Sequence, residues 1–281
     1  METINKITTS KQTTMYDHLC KMIIGNEEVL SRIIKAAVDE ANHLNVEEIR
    51  RLIKGVHIGD LIVNPHFHLV DKKGFIKDEG MVYYDILCYI DVPQEDGKNI
   101  RVYLNVEIQN NPYPGYSIIT RGYAYVSRIV SEQWGSEYDD KNYDGMKKVY
   151  SLWIMPKAPK RKDGHMNVYE TNERIICGTT VEEKEIYDKG VILAIYLNKE
   201  HDLNKKYEEH DELLTPLMVL LNNVLDYKGK QRIIEEYGLN TKKIESEVKD
   251  MCDLGESIVL EARNEGKQIE RKEKNIAHVK K

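Results

Sequence analysis

Residues 102–112 read VYLNVEIQNNP, and the pattern in this stretch determines the fold expected around it. Apolar side chains alternate with more polar ones, and the alternation ends at Glu107, Ile108 and Gln109. Period-two alternation is typical of a β-strand that turns one face toward a core. The second face of this strand therefore carries a carboxylate and an amide. What lies opposite that face decides whether the two groups meet solvent or form a site.

A partner strand is predicted at MVYYDILCYIDV, residues 81–92, joined to the first by PQEDGK. The EDG triplet suits a three-residue hairpin loop in which Gly97 takes the left-handed conformation. In that register the numbers of paired residues sum to 192, so Asp85 lies directly opposite Glu107. Opposed residues have Cβ atoms about 4.5–5.5 Å apart. A two-residue loop would instead place the two acids on opposite faces.

This register gives the hairpin one apolar face, which includes Tyr84, and one face that carries Asp85, Glu107 and Gln109. Like charges directly opposite each other destabilise a sheet, so the two acids require a compensating cation. Carboxylate oxygens at that separation suit Mg²⁺. The competing interpretation is a cross-strand pair splayed into water, with Arg101 nearby as its partner. The spacing alone leaves both interpretations open.

The rest of the chain alternates helical and strand patterns. Strands are predicted at VYSLWIM, GVILAIYL and RIICGTTV, the last at residues 174–181. Helices are predicted over 26–41 with Asn26 as its cap, over 116–134, from Thr215–Pro216 onward, and over 230–238 up to Gly238.

The predicted domain organisation has three parts. Residues 1–14 are expected to be a flexible arm, residues 15–238 one domain, and residues 239–281 a helical tail. The tail spaces Ile244 and Val248 helically within a Glu/Lys-rich sequence, so we expect a solvated or partner-seeking helix.

The composition describes a soluble globular protein, with 41% hydrophobic residues, 31% charged residues and a net charge of −6. No apolar run approaches the roughly 20 residues of a membrane span, and the N-terminus lacks the apolar core of a secretion signal. Four widely spaced cysteines fit reduced thiols, so we expect a cytoplasmic protein. The acidic total argues against a non-specific coat on nucleic acid. Lys160 and Arg161 in KAPKRKDG nevertheless form a local basic loop, either solvated or in contact with phosphate.

Taken together, these features resemble the PD-(D/E)XK nucleases. Asp85, followed by an apolar strand that ends Glu107-Ile108-Gln109, resembles the D…(D/E)xK signature of that fold. More specifically, the chain is similar to the PD-(D/E)XK nuclease family transposases, the recombination-promoting nuclease group. The similarity extends to YDHLCKMIIG, to RGYAYVSRIVSEQ and to EEYGLN…MCDLGESI, and so covers most of the chain.

The resemblance implies an α/β fold with a restriction-endonuclease-like core, in which a mixed β-sheet is flanked by helices, and a C-terminal helical extension. It implies hydrolysis of DNA phosphodiesters that depends on Mg²⁺, with Mn²⁺ as a substitute. Asp85 and Glu107 would bind the metal, with the carbonyl of Ile108 as a further ligand. Gln109 would stand where other nucleases have Lys and would orient the attacking water.

The resemblance extends to the helix that follows, through Arg121 and Tyr125. Together with Arg128, and with Lys160 and Arg161 of the basic loop, these residues are the expected DNA contacts. For the arginines of the helix, ion pairs with neighbouring acids on a solvated face are the competing interpretation.

Two departures from the family pattern are visible: no Pro precedes Asp85, and the motif Lys is the neutral Gln109. The second departure favours an alternative function, a catalytically inactive protein of this fold that binds DNA or another protein. A toxin-like or phage-defence effector would keep the nuclease chemistry. The expected partners are DNA and a second copy of the chain through its helices, with no membrane. The sequence does not distinguish DNA from RNA as the substrate.

Overall fold

The computed structural model describes residues 14–59, 84–222, 225–239 and 241–254. Contacts divide the chain into two compact units, one of residues 24–218 and one that combines 1–23 with 219–281. The predicted flexible arm, apart from Thr14, and the tail beyond residue 254 lie outside the described residues.

The larger unit contains a six-stranded mixed β-sheet flanked by helices. The described helices are α1 (residues 14–24), α2 (Glu27–Ala37), α3 (Val46–Leu52), α4 (Ile118–Glu132), α5 (Lys184–Tyr187), α6 (Asp211–Leu220), α7 (Tyr227–Glu236) and α8 (residues 242–254). The strands are β1 (Ile53–Ile58), β2 (Ile86–Pro93), β3 (Asn99–Ile108), β4 (Lys148–Met155), β5 (Met166–Tyr169) and β6 (Gly190–Tyr196). Their order across the sheet is β1-β2-β3-β4-β6-β5. Strands β3, β4 and β6 are parallel, and the remaining neighbours are antiparallel.

The β2–β3 hairpin has the predicted register. Ile86 pairs with Val106, and the numbers of every pair along the hairpin sum to 192. At the turn, the N–H of Gln94 donates to the carbonyl of Lys98 at 2.8 Å, and Gly97 has a φ of 81°. A local turn therefore fixes which side chains of the two strands share a face.

Both faces of the sheet are covered. On one face, Tyr150 of β4 donates to Glu40, in the turn after α2, at 2.8 Å. The other face packs against α4 in an apolar cluster of Leu87, Tyr103, Ile118, Tyr125, Val126, Ile129, Val149, Trp153, Met155, Ala158, Ile192 and Ala194. The face that carries Glu107 therefore lies beneath a helix, although the sequence pattern left open whether it meets water.

Helix α4 approaches the sheet closely at Gly122. A Cβ added there would lie 2.9 Å from the Ile192 side chain and 3.1 Å from Nε1 of Trp153. The helix begins after Ser117, whose hydroxyl accepts a hydrogen bond from the N–H of Thr120 at 3.3 Å. The cap and the glycine together set where α4 starts and how deeply it sits on the sheet.

The predicted position of Tyr84 is wrong. Strand β2 begins at Ile86, so Tyr84 does not continue the strand and does not lie on the apolar face of the hairpin. Its ring instead packs edge-on against Tyr125 of α4, with the ring centroids 5.5 Å apart. The first residues of the predicted strand, 81–83, lie outside the described residues.

Two other predicted elements differ from the structure. Residues 174–181 form no strand, whereas the unpredicted β5 pairs with β6. Helix α6 begins at Asp211 rather than at Thr215, because the N–H groups of Leu213 and Leu214 already donate to the carbonyl of His210. Pro216 consequently lies inside α6.

The smaller unit includes α7 and α8. Gly238, with a φ of 66°, follows the end of α7 as predicted. Ile244, Val248 and Met251 of α8 have the predicted helical spacing and are buried, so this part of the tail packs on one side instead of being fully solvated. Among the described helices, none is both long and apolar enough to cross a membrane.

Candidate active site

Asp85 and Glu107 lie side by side where the β2–β3 ladder ends. The Asp85 N–H donates to Oε1 of Glu107 at 3.0 Å, and the Ile108 N–H donates to Oδ2 of Asp85 at 2.9 Å. Beyond the last pair, Ile86 with Val106, these side-chain contacts take the place of strand-to-strand hydrogen bonds. Each carboxylate is thus oriented through one oxygen by the backbone beside the other acid.

A buried chain of hydrogen bonds holds Glu107 from the interior of the sheet. Trp153 Nε1 donates to the Ser151 hydroxyl at 3.0 Å, and that hydroxyl donates to Oδ1 of Asn105 at 2.9 Å. Asn105 Nδ2 then donates to Oε1 of Glu107 at 2.8 Å. The indole N–H can only donate and a carboxylate can only accept, so the two ends together fix the direction of the bonds between them. We call Trp153, Ser151 and Asn105 the polar chain.

The sequence analysis did not identify the polar chain. Its three members are fully buried. The available signal was Ser151, a hydroxyl in the middle of the otherwise apolar run VYSLWIM, because a buried hydroxyl requires a partner. The partner lies 46 residues away in the sequence, on the neighbouring strand β3.

The environment of Glu107 disfavours its charge. The residue is 4% exposed, and burial, together with the nearby Asp85 carboxylate, raises the pKa of Glu107 to about 8. The hydrogen bonds from Asn105 and from the Asp85 backbone, and the charge of Arg121, act in the opposite direction. Two acids in such a place are compensated by a proton on one of them or by a bound cation. The interpretation of a pair splayed into water is therefore wrong for Glu107.

Arg101, the partner in that alternative, is engaged elsewhere. Its guanidinium lies 2.7 Å from Asp91 and 3.0 Å from Glu137. Among the described residues, the positive charge that acts on Glu107 is that of Arg121, from the first turns of α4.

Arg121 is held over the site by aromatic side chains. It donates to the Tyr125 hydroxyl at 2.6 Å and to the Tyr116 hydroxyl at 2.9 Å. Its guanidinium carbon lies 5.2 Å from the centre of the Trp153 ring. Burial lowers the pKa of Arg121, but the Tyr125 hydrogen bond and surrounding groups that include Glu107 raise it on balance, which keeps the side chain charged. The structure thus brings Asp85, Glu107, Arg121 and Tyr125 into one cluster.

Gln109 lies at the border of this cluster. Its N–H donates to the carbonyl of Ile154 at 2.8 Å, which extends the β3–β4 pairing by one residue. Its side-chain Nε2 donates to the carbonyl of Asn111 at 2.6 Å. The amide therefore stabilises the turn that leaves β3, with its nitrogen directed along the chain.

The donor set fits a hard divalent cation. In an extended strand, the N–H and C=O of one residue point to the same side, so the Ile108 carbonyl points to the side on which its N–H meets Asp85. Two carboxylates and a carbonyl are all oxygen ligands, which Mg²⁺ prefers, and Mg²⁺ usually keeps several waters. Within the described ranges, no group of three or more His, Cys, Asp or Glu residues could hold a metal.

The other predicted DNA contacts lie apart from the cluster. Arg128 is about two turns further along α4, where its charge acts on Tyr84 and Glu132. Lys160 and Arg161 belong to a short exposed turn, Lys160–Lys162, after β4. Because β3 and β4 are parallel, this turn lies at the same end of the sheet as Glu107. Contact of these three residues with DNA remains a prediction.

No model of a known protein family matches this chain, and no curated protein or solved structure matches it either.

Proposed function

We propose that the chain is a metal-dependent endonuclease of the PD-(D/E)XK type that hydrolyses DNA phosphodiesters. The observation that carries the proposal is the reciprocal hydrogen bonding that holds Asp85 and Glu107 together at the ends of adjacent strands. A carboxylate pair in which Glu107 is buried and Asp85 half-buried is costly for the fold, and such costs are typical of sites built for chemistry. The mixed sheet flanked by helices supports a restriction-endonuclease-like core.

Asp85, Glu107 and the Ile108 carbonyl are the proposed ligands of Mg²⁺ or Mn²⁺. When bound, such an ion polarises a phosphoryl oxygen and lowers the pKa of water, which supplies a nucleophile at neutral pH. The protein fixes the two carboxylates in advance through the Asp85 and Ile108 amides and the polar chain. This preorganisation means that little rearrangement accompanies binding of the ion.

Arg121 supplies the positive charge that Gln109 lacks. In the family pattern a Lys stands at the position of Gln109, but here the positive charge that acts on Glu107 comes from α4 instead of from β3. Its fork of donors suits the developing charge on a phosphate in the transition state. Gln109 can position the attacking water through its amide oxygen, and the second N–H of its amide can donate to a phosphate oxygen.

One observation favours a second function, that of a nuclease-fold protein that binds DNA without cutting it. The Nε2 of Gln109 is already engaged by the Asn111 carbonyl, so the residue at the motif position serves the local turn. In that case the acids would bind an ion that anchors a phosphate, with no attack on it.

The test is single-turnover cleavage of supercoiled plasmid with Mg²⁺, with Mn²⁺ and with EDTA. We expect cleavage with either ion and none with EDTA, and we expect Asp85→Asn and Glu107→Gln to abolish it while the protein stays folded. Glu95→Gln, in the exposed hairpin turn, is the matched control and should cleave at the wild-type rate. Cleavage that survives both site substitutions would refute the assignment. Mg²⁺-dependent DNA retardation without cleavage would favour the second function.

Substitutions at Arg121 and Gln109 then test the role of each residue separately, the positive charge of Arg121 and the positioning of water by Gln109. Arg121→Met should lower the single-turnover rate about 100-fold to 1,000-fold, the usual cost of one lost transition-state donor. Gln109→Ala should lose most activity with Mg²⁺ affinity little changed, and Gln109→Lys should remain active. A wild-type rate for Gln109→Ala would show that this amide only supports the turn.

A further inference from the structure

Strand β5 forms one edge of the sheet and has unused hydrogen-bonding capacity. The Tyr196 N–H donates to the carbonyl of His165, and pairing continues with Met166 opposite Ile195. Because hydrogen-bonded and non-bonded pairs alternate in an antiparallel ladder, the backbone groups of Met166 and Val168 point away from β6. Within the described ranges, no backbone group pairs with them there. An edge of this kind can pair with another strand.

An exposed segment follows this edge, and we call residues 170–186 the arm. Every residue from 171 to 186 is exposed. The arm nevertheless contains β-branched apolar residues, of which Ile176 is 85% exposed and Val181 65%, and Val168 of β5 beside it is 53% exposed. Its sequence RIICGTTV predicted a strand, so a β-prone apolar run is placed next to an edge with no partner strand among the described residues.

The charges around β5 are ordered along the strand. The basic turn Lys160–Lys162 precedes β5, and neither Lys160 nor Arg161 has an ion-pair partner within the described ranges. The arm that follows β5 is rich in glutamates, among them Glu182 and Glu183. The two ends of β5 therefore carry opposite charge.

We propose that two copies of this chain associate by antiparallel pairing of their β5 edges about a two-fold axis. Met166 would pair with Val168 of the second copy, and Val168 with Met166, so that the outward backbone groups of both strands are used. Antiparallel pairing sets the basic turn of each copy beside the acidic arm of the other. The apolar residues of each arm are then covered by the second copy.

The order of charges favours a second copy over another strand donor. An isologous interface must be complementary to itself, and β5 with its flanks meets this requirement only in the antiparallel direction. In parallel pairing, basic turn would lie on basic turn and arm on arm. The sequence had suggested a dimer through helices, and the β5 edge is a different surface.

The first test is the oligomeric state in sedimentation experiments. We expect the wild type to sediment as a dimer and Val168→Pro as a monomer, because proline removes an outward N–H that the β5–β6 ladder does not use. Val168→Thr keeps the N–H and the branched side chain and should remain a dimer. Circular dichroism and thermal melting establish that each variant is folded. A monomeric wild type, or a folded Val168→Pro dimer of wild-type affinity, would overturn the proposal, and the latter would indicate the helices instead.

The second test uses the charges and is specific to the two-fold arrangement. The variant Lys160→Glu/Arg161→Glu has an acidic turn and an acidic arm, and Glu182→Lys/Glu183→Lys makes the arm basic like the turn. Each variant alone should be monomeric, whereas an equimolar mixture should form a heterodimer, because both contacts then join opposite charges. The heterodimer should weaken with added salt. A mixture that stays monomeric, or two variants that each dimerise like the wild type, would rule out the proposed contacts.

Discussion

At the scale of single residues, the carboxylate of Glu107 is costly for this fold. Its desolvation is offset only partly by the amide of Asn105 and the backbone of Asp85. The described hydrogen bonds to it come from Asn105 of β3 and from Asp85, the residue before β2, so the carboxylate is held in position without an ion. The folded protein thus holds an acid where it gains little stability from it, as expected of a residue kept for its chemistry.

A second acid, Glu132 at the end of α4, gives a prediction about pH. Burial raises the pKa of Glu132 to about 7, with Arg128 acting in the opposite direction. For an acid whose pKa is raised by folding, the stabilising contribution is complete below the unfolded pKa and is lost as pH rises through the folded one. Because one pKa unit corresponds to about 1.4 kcal/mol, this group should remove on the order of 3 kcal/mol of stability between pH 4.5 and pH 8.

Glu132→Gln should therefore flatten the pH dependence of the unfolding free energy over this range. Urea denaturation of wild type and variant at pH 5 and pH 8 measures the difference. Glu95→Gln, in the exposed hairpin turn, should behave as the wild type. Parallel pH profiles for wild type and Glu132→Gln would show that Glu132 is charged throughout.

At the scale of elements, α4 forms one wall of the candidate site, and its distance from the sheet sets the position of Arg121. Helix propensity alone would predict that alanine is more stabilising than glycine at position 122. The close approach of α4 to the sheet there predicts the opposite. Gly122→Ala should destabilise the protein by about 1–3 kcal/mol, because the added Cβ meets Ile192 and Trp153. At an exposed helical position the same change would stabilise by about 1 kcal/mol.

Urea denaturation of Gly122→Ala measures the sign directly. Ala124→Gly, at an exposed position of the same helix, is the control and should destabilise by about 1 kcal/mol through propensity alone. If Gly122→Ala stabilises the protein, α4 does not lie this close to the sheet.

Elements specified by local signals could be predicted from the sequence. The β2–β3 register follows from the turn at Gly97, and α2 begins as predicted after Asn26, whose side chain accepts from the Glu28 N–H. The β-rich run 174–181 was misread because propensity does not show whether a partner strand is present. Conversely, β5 is only four residues long and is defined by its pairing with β6.

The candidate site also combines features that local sequence specifies with features that depend on distant parts of the chain. The adjacency of Asp85 and Glu107 follows from the hairpin alone and could be predicted. The polar chain depends on the pairing of β3 with β4, and the contact of Arg121 depends on how α4 crosses the sheet. Neither is encoded within a short segment, so neither was accessible from spacing.

At the scale of the whole molecule, the two compact units differ in kind, because one is built on a sheet and the described part of the other is helical. The helical unit buries Lys230, which is 1% exposed. Its Nζ donates to the carbonyl of Leu220 at 3.1 Å and lies 3.4 Å from the sulfur of Met251. Burial lowers the pKa of Lys230, so the ammonium form is disfavoured in the folded state.

Lys230→Met should therefore leave the unfolding free energy unchanged or raise it by about 1–4 kcal/mol, as is common when a buried ionic group is replaced by an apolar one. Its advantage should grow as the pH falls, because the wild type must then bury a charge. Lys230→Ala is the contrasting variant and should destabilise by about 2–5 kcal/mol by leaving a cavity. Chemical denaturation across the pH range distinguishes the two variants. If both lose the same unfolding free energy, the hydrogen bond from Lys230 to the Leu220 carbonyl contributes more to stability than the packing of its side chain.

The polar chain also connects the candidate site to an intrinsic fluorophore, the indole of Trp153. The protein has two tryptophans, of which Trp134 is 37% exposed and Trp153 is fully buried, with its indole N–H starting the chain that ends on Glu107. The emission of an indole follows the electric field along its ring, and this indole is joined through Ser151 and Asn105 to the acid proposed to bind the metal. Trp153 is therefore an intrinsic fluorophore that is connected to Glu107 by hydrogen bonds. In a variant that lacks Trp134, the tryptophan fluorescence would come from Trp153 alone.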